Sequence, residues 1–433
     1  MHKLFPKIIA STYYLFTGRQ MTSSSADISN TFFGLAFKLG IAKIFVMISV
    51  ILIGKFLGTA AYGNFALILA IGNFWCLPFF TSWGLTYVKF ASESKGANSS
   101  ESLLSAAMSI VTLIICLLFP FLLIFRNPLS TMINVSPKIW VWGCVFGILM
   151  GGYYFSKNIF QAKQKWSSYV SGEYFFAGSL SIGILTLFLT QPGSKFIPAI
   201  VVFGFAHLVV MLFAFLMIFR SLRFPHYQDI KRIGLYGLLL LISFGLSLLA
   251  MQMDKLLLNH YTDASVVGRY QAYYVSTFGF LSSLTVILNN YLLPLYGKHS
   301  KETIKRMLIR FLLIVSVPAW FLCMFFGRFA FILFGKSFAF KWIELCWAST
   351  FTVSNLWIQI IVFFSMTLGE KALLFNAVAY AVFIAVQLIS IPTLAKINGV
   401  SGTFQGMTAA SITGFCVFIA AVFFLMRKNL KQN

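Results

Sequence analysis

An ammonium stands where a charge is costly. Lys43 lies near the middle of a continuous apolar run, residues 31–53. A charge at mid-membrane depth costs ~2.5–3.5 kcal/mol on insertion scales, so such a side chain faces water or a partner and marks function. No acid is expected at matching depth in the first half of the chain, because Asp27, Glu93, Glu101 and Glu173 fall at or near one end of their apolar runs. Lys43 is therefore expected to face a wet interior and to attract anions. Lys38 sits ~7.5 Å earlier along the same helix and ~140° around it, close enough to the surface to snorkel. In the second half, Asp254 and Lys255 end one run and Arg269 begins the next. Asp254 and Arg269 are expected at similar depth and could pair. Asn73, Gln252, Asn289, Asn290, Asn355 and Gln359 are candidates to line the same space, and each is equally suited to bonding one helix to another.

This inventory suits the holding of an anion rather than the making of bonds. There are no paired carboxylates at catalytic spacing, no phosphate-cradling glycine loop and no metal-ligand constellation. The six cysteines are single and read as small hydrophobes, so no disulfide is expected. Neither a catalytic residue nor a metal or cofactor is predicted.

The elements that must position these residues are membrane helices. The chain of 433 residues is 59% hydrophobic and 10% charged, whereas soluble chains run near 25% charged. Twelve runs are long enough to cross ~30 Å of hydrocarbon: roughly 31–53, 64–88, 103–125, 138–158, 169–190, 196–219, 233–256, 267–293, 306–327, 341–367, 372–394 and 403–426. The runs are continuous rather than alternating, which excludes barrel strands and leaves helices, whose backbone groups are satisfied internally. Pro78, Pro120 and Pro318 fall inside runs and mark possible bends. Trp83, Trp140, Trp142, Trp342 and Trp357 read mostly as lipid-facing packing and interface belt.

The net charge of +23 is distributed unevenly. With the N-terminus inside, basic residues of the loops favour the inner side by roughly two to one, which sets both termini on that side. The charge thus reads as topology and lipid contact rather than nucleic-acid binding. Residues 1–30 lack the apolar core and cleavage site of a signal peptide. They suit a cytoplasmic or interfacial arm, and Met21 is a rival start. The expected organisation is this arm, a six-helix bundle over 31–225, a second over 226–426 and a tail at 427–433.

The bundles look like repeats. AYGNF at 61–65 and VVGRY at 266–270 place Gly63 and Gly268 at matching helix starts, 205 residues apart. Gln164–Lys165 and Glu370–Lys371 are similarly offset at the ends of the fourth and tenth helices. Six helices per half give both halves one orientation, hence a parallel repeat about an axis along the membrane normal.

The stretches IGKFLGTAAYGNFALILAIGNF (53–74) and SWGLTYVKFASE (82–93) resemble the N-terminal signature of the Wzx-type polysaccharide-biosynthesis flippases. MDKLLLNHYTDASVVGRYQAYY (253–274) and LPLYGK (293–298) repeat the resemblance, with Asp254–Lys255, Gly268 and Tyr270 on the family's Asp-basic … Gly-x-Tyr pattern. The resemblance covers the chain from about residue 31. It implies the multidrug/oligosaccharidyl-lipid/polysaccharide exporter fold: two six-helix bundles in a V around a central cavity lined by the first, second, seventh and eighth helices. It also implies a bacterial inner-membrane flippase for an O-antigen-like repeat unit on a polyprenyl diphosphate, with a polysaccharide polymerase and chain-length machinery as further partners. A cation-coupled multidrug exporter on the same fold is the first alternative, weakened by the lack of a mid-membrane acid in the first half. A membrane glycosyltransferase or O-antigen polymerase is the second, weakened by short outer loops.

Overall fold

In the computed structural model the described residues are 23–93, 97–190, 196–219, 222–279, 281–282, 285, 301–366 and 370–430. Among them nine continuous helical stretches are long and apolar enough to cross a bilayer. Two of these are folded double at a glycine. Gly58, with φ 71°, separates α1 (residues 23–57) from α2 (59–93). Gly399, with φ 55°, separates α11 (370–398) from α12 (400–430). Both adopt the left-handed region where a side chain would be strained. Between them run α3 (Ala97–Ile124), α4 (Pro137–Ala162), α5 (Trp166–Thr190), α6 (Phe196–Ile218), α7 (Tyr227–Tyr261), α8 (Ala264–Tyr274 and onward), α9 (Lys301–Phe334) and α10 (Trp342–Met366). The protein is an all-α, multi-pass membrane protein with the twelve helices read from the sequence. Local capping residues explain the sharp ends. Ser136 caps α4 with its hydroxyl accepting from the Ile139 amide, and Pro137 opens the helix. Asp263 caps α8 through the amides of Ser265 and Val266, as N-cap chemistry requires. Gln164, with φ 52°, turns the chain from α4 into α5.

Helices α4, α5 and α6 pack with α1 and α2. Helices α10, α11 and α12 pack with one another, and the α11–α12 hairpin packs with α7. The two sets meet mainly through α1, α2 and α3 on one side and α7, α8 and α9 on the other. At the α1–α2 turn the join is backbone on backbone. A methyl on Gly63 would lie 1.7 Å from the carbonyl oxygen of Ala264, and one on Gly268 would lie 1.9 Å from that of Thr59. Thr59 and Ala264 are themselves 205 residues apart, so the contact is reciprocal, as a two-fold axis requires. The repeat read from the sequence is thus expressed as a crossing of equivalent helices at equivalent glycines. Tyr62 closes the same end against Phe334 and Phe338.

At the far end of α2 the contact passes to α7. Gly237 lies under the Trp83 ring, Lys89 sits 3.7 Å from the Tyr236 ring centroid and Arg232 sits 3.9 Å from that of Phe90. Arg232 also reaches Glu93 at 2.9 Å. Between these two anchorages, Leu77–Thr81 of α2 forms a π-helical turn, and α8 has one at Val275–Gly279. Pro78 lies inside the first and so does mark an irregularity. Trp83 and Trp140 depart from the expected belt. Both are buried, donating to the carbonyls of Pro78 at 2.7 Å and Leu122 at 3.1 Å. A buried indole N–H needs such an acceptor, and the sequence could not show that one was near.

Candidate functional site

The expectation for Lys43 needs correction in one respect: an acid does meet it. The Lys43 ammonium lies 2.8 Å from Oε2 of Glu173. Glu173 is seven residues, ~10 Å, inside α5, not at its rim, and the four-carbon lysine stem spans the remaining depth. The Glu173 carboxylate is fully enclosed. It is ion-paired to Lys157 of α4 and accepts a hydrogen bond from the Tyr153 hydroxyl at 2.8 Å. Lys157 lies five residues before the end of α4 at Ala162. Its ammonium also lies 4.8 Å from the Tyr169 ring centroid. Behind this cluster His207 sits in a box of Phe146, Tyr153, Phe176 and Phe203, its Nδ1 2.7 Å from the Phe203 carbonyl.

One carboxylate faces two ammoniums, leaving one positive charge. Lys157 and Tyr153 satisfy Glu173 from the buried side, with the Lys157 side chain 15% exposed. Lys43 is 32% exposed and is the more open of the two ammoniums. Lys38, Ile44 and Phe45 of α1 are exposed as well, on sides of the helix turned ~100–160° away from Lys43. Helix α1 is held to α5 above the cluster by a hydroxyl contact of 3.1 Å between Ser49 and Ser181.

In the second half the expected Asp254–Arg269 pair is replaced by two others. Asp254 is bonded to its neighbour Lys255 at 3.2 Å and to the Tyr270 hydroxyl. Both charges are buried, and Lys255 also lies 4.1 Å from the Tyr274 ring centroid and 3.4 Å from Gln252 Oε1. Arg269 pairs instead with Glu344 of α10. The reason is the ~100° step between adjacent helix positions. Tyr270 turns inward to Asp254, so Arg269 turns toward α10. Asn355 and Gln359 bond one turn apart at 3.1 Å, and Asn355 lies 3.4 Å from Met251 Sδ of α7. Asn73 donates to its own helix at the Leu69 carbonyl. Asn289 and Asn290 lie outside the described residues. The structure thus gathers Lys43 with Glu173 and Lys157, and Asp254 with Lys255 and Gln252, as two separate clusters. Glu173, Lys157, Tyr153, Tyr270 and Glu344 were not among the expected site residues. The run read as 169–190 put Glu173 four residues from its start, whereas α5 begins three residues earlier, at Trp166.

A family described as polysaccharide biosynthesis protein matches residues 29–298. Among curated proteins none matches in sequence. Among solved structures, the inward-facing conformation of a multidrug resistance MATE family transporter of the MOP superfamily aligns with a TM-score of 0.65 and 12% identity, covering 91% of this chain and 98% of that one. The outward-facing conformation of such a transporter aligns at 0.58 and 15%, covering 92% and 96%. The Vibrio cholerae MATE transporter VcmN in its bent form aligns at 0.57 and 13%, covering 94% and 99%. At these identities the likeness is one of fold: that of a membrane transporter.

Proposed function

The chain belongs to the family of polysaccharide biosynthesis proteins, and from that premise we propose that it is a flippase for a polyprenyl-diphosphate-linked oligosaccharide. The cargo would be an O-antigen-like repeat unit, carried across the bacterial inner membrane by alternating access with both termini cytoplasmic. The observation that carries this reading is the surplus cation at Lys43. A diphosphate and its sugars must cross hydrocarbon that solvates neither. An ammonium whose local counter-ion is already shared with Lys157 offers that anion a partner at little cost in broken pairing. The lipid tail stays in the bilayer, and no bond is made or broken, so no catalytic residue is needed. Membrane potential contributes ~2.3 kcal/mol per charge per 100 mV to any charge that moves.

A second reading is favoured by Glu173, an enclosed acid where the sequence alone leads us to expect one near a helix end: a cation-coupled multidrug exporter. Its carboxylate already carries two ammoniums, which leaves a coupling cation less room than a free acid would. The test separates them. In cells lacking their own repeat-unit flippase, the wild-type chain should restore surface polysaccharide. Lys43→Ala should lower it at least tenfold at equal membrane abundance, and Lys43→Arg should retain most of it. Full restoration by Lys43→Ala would remove Lys43 from the mechanism. Drug resistance without restored polysaccharide, in the wild type, would select the exporter.

A further inference from the structure

A cleft on the membrane-facing side of the first half is independent of that reading. It lies between α3 and α6 over the face of α4, and is lined by Met108, Val111 and Ile115 on one wall and Met211, Phe215 and Ile218 on the other. It encloses about 610 Å³ including its mouth and runs ~10 Å along the helices, the rise of the seven residues from 108 to 115. Its lining is almost wholly apolar, with only the hydroxyls of Thr112 and Ser156 among it.

One end of the cleft is roofed by charge. The linker from α6 to α7 crosses from the end of α6 to the start of α3, where the Arg223 amide donates to Ser105 Oγ at 2.9 Å and the His226 amide to Ser102 Oγ at 3.3 Å. Arg223 reaches Glu101 at 2.8 Å through Nε. Lys163 and Lys165 follow directly on α4, one turn beyond the cleft residue Ile159. Burial, together with the neighbouring Lys165 ammonium, pushes the Lys163 ammonium below its ordinary range, and Glu101 opposes that shift. Asp229 stands at the same roof, its carboxylate accepting from Ser102 Oγ, so three cations face two carboxylates and one positive charge remains. Beside them Phe224, on the linker that follows α6, is 98% exposed; rings of this kind favour the headgroup layer.

We propose that this cleft is a binding site for a resident anionic glycerophospholipid, with an acyl chain between α3 and α6 and the phosphodiester on Lys163, Lys165 and Arg223. The chemistry is matched at both ends: an apolar slot open to the bilayer and a cationic roof at the interface, the arrangement by which basic pockets between membrane helices hold acidic headgroups. A zwitterionic lipid would fill the slot equally well and gain less from the roof.

Native mass spectrometry of the full chain in detergent, loaded with phosphatidylglycerol or phosphatidylcholine, tests this. The wild type should retain phosphatidylglycerol at least tenfold over phosphatidylcholine. Lys163→Ala with Lys165→Ala should remove most of that preference, each lysine contributing up to about fivefold. Thr112→Trp, at an exposed position that lines the slot, should displace both lipids and keeps the test alive if the lysine variant fails to fold. Lys336→Ala with Lys341→Ala, exposed on the turn between α9 and α10, should change nothing. Equal retention of the two lipids by the wild type, or unchanged retention in both cleft variants, would overturn the site. Displacement of phosphatidylglycerol by a polyprenyl diphosphate that Thr112→Trp also blocks would reassign it to the cargo, overturning the resident-lipid proposal.

Discussion

Gly63→Ala should lower the thermal stability of the purified protein sharply, and Gly268→Ala should lower it to the same degree. Each methyl would be driven into a backbone carbonyl, at 1.7 and 1.9 Å, and a carbonyl within a helix cannot rotate away as a side-chain tip can. Overpacking a tight contact costs ~1–3 kcal/mol, and here the only relief is to part α2 from α8. The double variant should therefore cost little more than either single, because one displacement makes room for both methyls. Non-additivity of this kind is the mark of groups sharing one strain. Gly178→Ala is the control, since nothing lies within 4 Å of a methyl there, and removing a helical glycine should be neutral or gain up to ~1 kcal/mol. Melting curves in detergent read all four proteins. Labelling of a cysteine placed at Thr59, in a background freed of native cysteines, should rise in both single variants as the seam opens. Additive losses, or an unchanged label, would show that the glycines do not hold the halves together.

Glu173→Leu should be the most damaging single change in the first half. It strands the Lys157 ammonium in a buried site with only ring faces and the Tyr153 hydroxyl around it. Breaking a buried pair from one side costs on the order of 3–5 kcal/mol, because the surviving charge stays desolvated, whereas removing both partners is often close to neutral. Lys157→Met added to Glu173→Leu should therefore recover most of the lost stability. Glu173→Leu with Lys43→Met should recover less, since Lys43 is partly exposed and better able to find water. Ranking the three by melting temperature decides whether Lys157 or Lys43 is the principal partner of the carboxylate. If the Lys43 double recovered more, the assignment of Lys43 as the surplus charge would be reversed.

These residues show where a linear reading succeeds and where it stops. The twelve helices follow from apolar run length alone, since in hydrocarbon the backbone has few other ways to satisfy itself. The repeat was legible at Gly63 and Gly268 because a crossing this close leaves no room for any other residue. The ion pairs were not legible. Depth along a helix was judged from its ends, and an error of a few residues moved Glu173 out of the interior. Azimuth was harder still: Arg269 and Tyr270 are neighbours in the chain, yet one bonds to α10 and the other to α7. The indoles of Trp83 and Trp140 looked like belt residues because a carbonyl acceptor on another turn or helix leaves no trace in composition.

Helix α2 is held by different partners at its two ends, α8 at Gly63 and α7 around Trp83 and Phe90, and the Leu77–Thr81 turn falls between them. A wide turn of that type loosens the regular hydrogen-bond ladder at one place. The rod therefore has an elbow, and a disturbance at one membrane surface need not be relayed stiffly to the other. Helix α8 has its own elbow at Val275–Gly279. One leaf of the assembly can swing at the glycine seam while the opposite hem stays stitched, at the expense of a single pliable turn in each rod.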